Sequence, residues 1–264
     1  MPSWWGKHKK QANAENQDAV NGGSVHYYAK ESEPDLLSQF PPEEHLRIIT
    51  DEDVRVMNPK IKLMFNKRDG ILQSLEGKTI QITALTIDIV DSSLKVKMIS
   101  PNQTGEFYQK FIESTSDLIQ NYGGYVLKNV GDCVIGFFPC SSYIVENQEK
   151  AILCGLAMTD MLNLLNKDFA KMKLPAIECR MSADIGPVQV LRVRSKDGYS
   201  VIDLFGSAIN MATKISHYAK PNQMVIGDNL FWRIIDKDMF EFRVVRSWGL
   251  VEKYIYPVYI VERK

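Results

Sequence analysis

Apolar and polar positions follow two periods along the chain, and the changes from one to the other outline a mixed fold. The run over 81–90, Gln-Ile-Thr-Ala-Leu-Thr-Ile-Asp-Ile-Val, predicts a buried strand with Asp88 near its end. Asp91-Ser92-Ser93 follows as a helix-start signal. Pro101 is expected to mark a break. Beyond it, Phe107, Phe111, Leu118 and Ile119 recur at helical spacing over 104–121, and Gly123-Gly124 ends that helix. Apolar runs over 125–127 and 133–138 flank a short polar break. They predict a hairpin in which Gly131 takes a positive φ. The stretch 139–146 reads as a connection. A second long helix is predicted over 147–166, with Ile152, Leu156, Leu162 and Leu165 on its buried face.

Further on, 177–185 predicts a strand that Gly186-Pro187 turns into a short strand over 188–193. Arg192, Arg194, Lys196 and Asp197-Gly198 make a charged arm. Asp203-Leu-Phe-Gly206 leads into a helix over 207–218 that Pro221 closes. A strand over 223–226, a short helix over 230–235 and strands over 242–245 and 258–261 complete the pattern. From Thr79 the order is β, α, β, β, α, β and then extra elements. That is an α+β fold of ferredoxin-like (split βαβ) type, with additional C-terminal strands and helices.

The domain organisation expected is therefore a patterned domain over 79–264 preceded by two different segments. Residues 46–78 carry apolar positions at mixed spacing, interrupted by Pro59, and read as a short helical lead-in. Residues 1–45 are rich in Asn, Gln, Ser, Glu and Pro and read as a disordered tail. Trp4 and Trp5 beside Lys7, Lys9 and Lys10 are read as stray aromatics of that tail, with a membrane-surface or partner contact as the alternative.

Composition narrows the function classes. Of 264 residues, 45% are hydrophobic and 24% charged, and the formal net charge is zero, so nothing points to a nucleic-acid partner. No apolar run reaches the length of a membrane span and no signal-peptide pattern opens the chain, so a cytoplasmic protein is expected. The four cysteines lack CxxC spacing and the four histidines are scattered, which argues against zinc; Cys133 and Cys154 read as small core residues.

Three polar clusters carry candidate chemistry. In a split βαβ sheet the first strand and the following hairpin are neighbours, so Asp88 and Asp132 are expected to face one point. With the Ile89 carbonyl they make an oxygen cage suited to Mg²⁺, which keeps the rest of its shell for water and phosphate. Asp132 beside Gly131 is also an ordinary turn dipeptide, and Asp88 alone an ordinary strand-end carboxylate. Ser92 and Ser93 open a helix at the same place and offer N–H groups to a phosphate. Finally, Asn210 and Lys214 lie four apart on one helix face, an amide donor beside an ammonium, the equipment for stabilising a phosphoryl transfer. A surface Asn and a solvated Lys are the plainer alternative.

In order along the chain, Ile87-Asp88-Ile89-Val90-Asp91-Ser92-Ser93, Gly123-Gly124 with Lys128-Asn-Val-Gly131-Asp132, Gly186-Pro187-Val188, and Asp203-Leu-Phe-Gly206-Ser-Ala-Ile-Asn210 resemble the catalytic domain of class III nucleotide cyclases, the adenylyl/guanylyl cyclase family, over residues 80–262. The resemblance implies two Mg²⁺ or Mn²⁺ ions per site, held by Asp88, Asp132 and the Ile89 carbonyl, and in-line attack of the ribose 3′-hydroxyl on the α-phosphate. It implies that Lys128 and Asp203, each three residues before a motif glycine, read the base as in adenylyl members, which makes ATP the expected substrate and cyclic AMP and pyrophosphate the products. It assigns Asn210 and Lys214 to the transition state. It also implies a head-to-tail homodimer with composite sites, metal residues from one chain and base readers from the other, with the 192–200 stretch near the dimerisation arm.

Three positions depart from the family pattern. Lys214 replaces an Arg and so loses the planar fork. Asp91 replaces a phosphate-loop Gly. The C-terminal triphosphate Lys has no clean counterpart, since Leu250 falls near its place and Lys253 fits only if the loop shifts. A cyclase for GTP or a pyrimidine nucleotide, and a non-catalytic cyclase-like binding module, are the alternatives these departures leave open.

Overall fold

Strand β1 (Thr79–Ile89) is hydrogen-bonded along both edges, antiparallel to a strand on either side. Both its faces are covered: Leu85, Ile87 and Ile89 belong to one apolar cluster, Ile82 and Ala84 to another. This is why apolar residues of the 81–90 run fall on both faces of the strand. A computed structural model of the protein describes residues 59–140, 147–196, 198–245 and 256–264. The predicted tail over 1–45 lies outside the described residues.

Around β1 the elements follow as α1 (Pro59–Ser74) before it, then α2 (Ser92–Val96), α3 (Pro101–Asn121), β2 (Tyr125–Val130), β3 (Cys133–Cys140), α4 (Asn147–Lys171), β4 (Cys179–Arg194), β5 (Ser200–Gly206), α5 (Ser207–Ile215), β6 (Gln223–Gly227), α6 (Asp228–Phe231), β7 (Phe240–Val244) and β8 (Val258–Arg263). The sheet order is β2-β3-β1-β4-β6-β8-β7, with β5 paired to the outer half of β4. Its β2-β3-β1-β4 part is the split βαβ arrangement, so the fold is the α+β, ferredoxin-like one expected. Helices α3 and α4 bury one face through Phe107, Phe111, Ile119, Ile152, Leu162 and Phe169. Helices α1 and α5 bury the other through Leu72, Ala208 and Ala212, against Leu127, Ile135, Phe137 and Leu204.

Several local expectations are corrected, and prolines account for two. Pro101 opens α3 instead of breaking the chain, because the first helical position needs no N–H; Ser100 caps it, with Gln103 completing a capping box. Pro59, expected to interrupt a helix, stands at the start of α1, the first of the described residues. Gly186-Pro187 does not turn the chain: β4 runs straight through. Pro187 falls where the second edge of β4 is between partners, β6 pairing Arg180–Ala183 and β5 beginning at Val188, so its missing N–H breaks no ladder there. The arm is a hairpin whose return strand, β5, includes Asp203. Strand β3 runs to Cys140 and α4 to Lys171, both past their expected ends.

A buried carboxylate ties the C-terminal elements to this sheet. Asp184 on β4 is fully buried. Its Oδ1 accepts from the Ile185 and Leu230 N–H groups at 2.9 and 3.2 Å, and its Oδ2 accepts from the Tyr256 hydroxyl at 2.6 Å. Burial raises the carboxyl to about 6, with the Asp228 charge adding and the three hydrogen bonds opposing. The fold thus binds this proton more tightly than the unfolded chain does. Stability from the group is full below its ordinary value of 3.8 and is lost as pH rises through about 6. Against Asp184→Asn, wild-type unfolding free energy is expected to fall by about 3 kcal/mol across that window. Urea denaturation of both proteins over the window checks it; a pH-independent difference contradicts it.

Candidate active site

The acidic pair is built by register. Asp88 stands opposite Cys133 on β3 and opposite Arg180 on β4. Directly opposed residues share a sheet face, so these three side chains form one row. Gly131, at φ 61°, makes the turn that delivers Asp132 just before Cys133. Half-buried, Asp88 has its carboxyl pushed above the usual range, first by burial and then by the Asp132 charge; Arg180 and His217 pull it back. The Cys133 thiol is pushed up to about 12 by burial and by the same two carboxylates, which keeps it neutral. Two carboxylates that repel at a half-buried point are a donor set that a hard divalent cation neutralises, so the residues fit such an ion. The ladder with β4 runs to Ile89 while that with β3 ends at Asp88, which leaves the Ile89 backbone past the β3 edge. Among the described residues no group of three or more His, Cys, Asp or Glu side chains gathers, so two carboxylates are the charged part of the set.

Beyond β1 the chain reverses through Asp91, which takes φ 52° and ψ 37°. That left-handed conformation is the one a glycine adopts freely, and Asp is among the few other residues that tolerate it. The backbone here is thus one that a glycine would adopt, with a carboxylate added. Ser92 is buried and Ser93 exposed at the start of the five-residue α2.

The second pair comes from β2 and β5. The Lys128 ammonium donates to Asp203 Oδ2, while Asp203 Oδ1 accepts from the Leu204 N–H at 2.8 Å. Their side chains are 40% and 22% exposed. Gly206 then lets the chain pass close to β4: a Cβ there would lie 2.2 Å from the Pro187 carbonyl oxygen. Helix α5 begins immediately afterwards. It is pinned by a buried relay in which the Ser182 hydroxyl donates to the Ala212 carbonyl at 2.8 Å. The single Ser182 proton being used there, Thr86 donates to Ser182 at 2.5 Å. Asn210 and Lys214 are both exposed on α5.

The structure thus brings Asp88 to Asp132 and Lys128 to Asp203, and sets Asn210 and Lys214 on the open side of α5. Sequence reading missed Arg180, the cation across from Asp88. Its signal was a charge alternating with apolar residues, Ile-Glu-Cys-Arg-Met over 177–181, within the predicted strand. Leu250 and Lys253 lie outside the described residues.

Comparison with known proteins bears on the same span. A search of the curated protein sequences finds no match. Among solved structures, the guanylyl cyclase Cya2 superimposes with a TM-score of 0.62 at 20% identity, covering 70% of this chain and 93% of that one. The adenylyl cyclase CyaB from P. aeruginosa gives 0.62 at 18%, covering 71% and 96%. The guanylate cyclase domain of RhGC from Catenaria anguillulae, solved with GTP, gives 0.60 at 18%, covering 71% and 99%. These likenesses concern the fold. The family model described as the adenylate and guanylate cyclase catalytic domain matches residues 76–248, a span that holds both carboxylates, the Lys128–Asp203 pair and α5. The chain therefore belongs to the adenylate and guanylate cyclase catalytic domain family and carries a class III nucleotide cyclase domain.

Proposed function

We propose that the protein converts ATP to 3′,5′-cyclic AMP and pyrophosphate. The observation that carries this reading is the meeting of the Lys128 ammonium with the Asp203 carboxylate. Adenine presents an acceptor at N1 beside a donor at N6, and a Lys–Asp pair offers the complement side by side. Asp88 and Asp132, with the Ile89 carbonyl, hold two Mg²⁺ or Mn²⁺ ions. Such ions would supply acidification of the ribose 3′-hydroxyl and positive charge for the triphosphate. Arg180, in one row with Asp88, adds positive charge on the phosphate side, where the family's C-terminal Lys has no clean counterpart. The N–H groups of Ser92 and Ser93 receive phosphate oxygens. Asn210 and Lys214 stabilise the charge that develops on the α-phosphate, Lys214 as a point charge without the fork of an Arg.

Each site takes its metal residues from one protomer and Lys128, Asp203, Asn210 and Lys214 from a partner copy. The β4–β5 arm supports such a dimer, since Leu191, Val193, Tyr199, Val201 and Phe205 are all exposed on it. Solvated apolar side chains in that number favour burial against another surface.

The deciding measurement is purified protein with Mg²⁺ or Mn²⁺ and each of ATP, GTP, CTP and UTP, the products identified by mass. Cyclic AMP is expected to dominate. Dominant cyclisation of another nucleotide overturns the base assignment, and no cyclic product from any of them overturns the enzyme reading. A mixture of Asp132→Ala and Lys128→Ala tests the composite site. Each homodimer is expected to be nearly inactive, and the mixture to recover up to about a quarter of wild-type activity, because random pairing makes half the dimers mixed and one of their two sites intact. Recovery of none contradicts the geometry.

A further inference from the structure

Helix α1 reaches the base-reading hairpin through one guanidinium. Arg68 Nη1 donates to the Leu127 carbonyl at 2.7 Å. Its Nε and Nη2 both donate to Asp69 Oδ1, at 2.8 and 2.6 Å, and its Cζ lies 4.6 Å from the centroid of the Phe65 ring. Held by a carboxylate and an aromatic face, and only 17% exposed, the group is oriented before it makes the bond to β2.

The residue it binds is the irregular one in that strand. Val126 pairs with Gly136 and Lys128 with Ile135, so Leu127 has no partner across the ladder and is the extra residue of a β-bulge. Strand side chains alternate between faces, and one extra residue inverts the alternation beyond it. Tyr125 and Leu127 belong to the cluster on the α1 and α5 face, and Val126 to the cluster on the α3 and α4 face. A regular strand would send Lys128 to the side of Val126. With the bulge it stands opposite Ile135, on the α1 and α5 face, where its ammonium meets Asp203. Leu72 of α1, fully buried, sits in the same cluster as Leu127 and Leu204, the residues just before Lys128 and just after Asp203.

We propose that Arg68 is a positioning residue for base selection: its bond to the Leu127 carbonyl fixes the bulge that turns Lys128 toward Asp203. A bulge carbonyl left without its donor would have to find water or rearrange, and the rearrangement open to it is a change in the direction of Lys128. Helix α1 is then part of the specificity apparatus, and a shift of α1 reaches the base pocket before it reaches the metal residues. This rests on Lys128 and Asp203 being the base readers.

The test compares Arg68→Met, which keeps an apolar stem over Phe65 and removes the donors, with Arg68→Lys, which restores one donor. For Arg68→Met, KM for ATP is expected to rise about tenfold and the preference for ATP over GTP to fall, with kcat within about threefold of wild type. Arg68→Lys is expected to recover part of both losses. A fall in kcat alone, with KM and preference unchanged, overturns the proposal. A second readout needs no nucleotide: in the folded Arg68→Met protein the backbone resonances of Leu127 and Lys128 and the carboxyl resonance of Asp203 are expected to move. Unmoved resonances overturn the positioning role. Should Arg68→Met not fold, Asp69→Asn loosens the same clamp and is expected to move the same resonances. If the wild-type protein forms no cyclic product, the cyclase reading fails by itself, and the resonance test still decides whether Arg68 sets the direction of Lys128.

Discussion

Asp88 sits at the end of a strand that has a hydrogen-bonded partner on each edge, and this prevents it from moving away from Asp132. A free pair of carboxylates would separate. Here β3 fixes one side through Cys133 and β4 fixes the other through Arg180. The Asp88 carboxyl is raised first by burial and then by the Asp132 charge. Arg180 and His217 offset part of it. The remainder is negative charge left uncompensated at a half-buried point.

The second pair obeys the opposite logic. Lys128 and Asp203 neutralise one another, so neither drives the fold apart, and neither is buried enough for the pairing to be strong. An ion pair this exposed contributes roughly 0–1 kcal/mol. The pair therefore presents a donor and an acceptor side by side at little cost to the fold if they part.

Much of this was legible in the residue pattern, and the parts that were not share a cause. Strand β1 and the hairpin follow from apolar runs, and the meeting of Asp88 with Asp132 follows from the order of elements, because a split βαβ sheet has one way to place them. Strand β5 was hidden because Val201 and Phe205 are apolar yet exposed, which blurs the alternation that Ile202 and Leu204 set by packing inward. Pro187 reads as punctuation along the chain, and only the gap between β6 and β5 on the neighbouring edge makes it harmless. Arg180 gains its meaning from standing across from Asp88. In each case the missing information was the identity of the partner strand, which local periodicity does not contain.

The bulge at Leu127 is the sharpest instance, and it links the two pairs. Asp88 and Arg180 lie on the sheet face that carries α1 and α5, as the alternation of β1 and β4 requires, since Ile87 and Met181 point to the opposite cluster. A regular β2 would have put Lys128 among the side chains under α3 and α4, where an ammonium would be buried without a partner. Such a Lys is expelled or loses its charge. One additional residue places it instead on the face of Asp88. One residue count between Gly124 and Gly131 therefore decides the face on which Lys128 stands, and the Leu127 carbonyl at the bulge takes a donor from outside the ladder. Arg68 is that donor, and it comes from the helix that precedes the sheet.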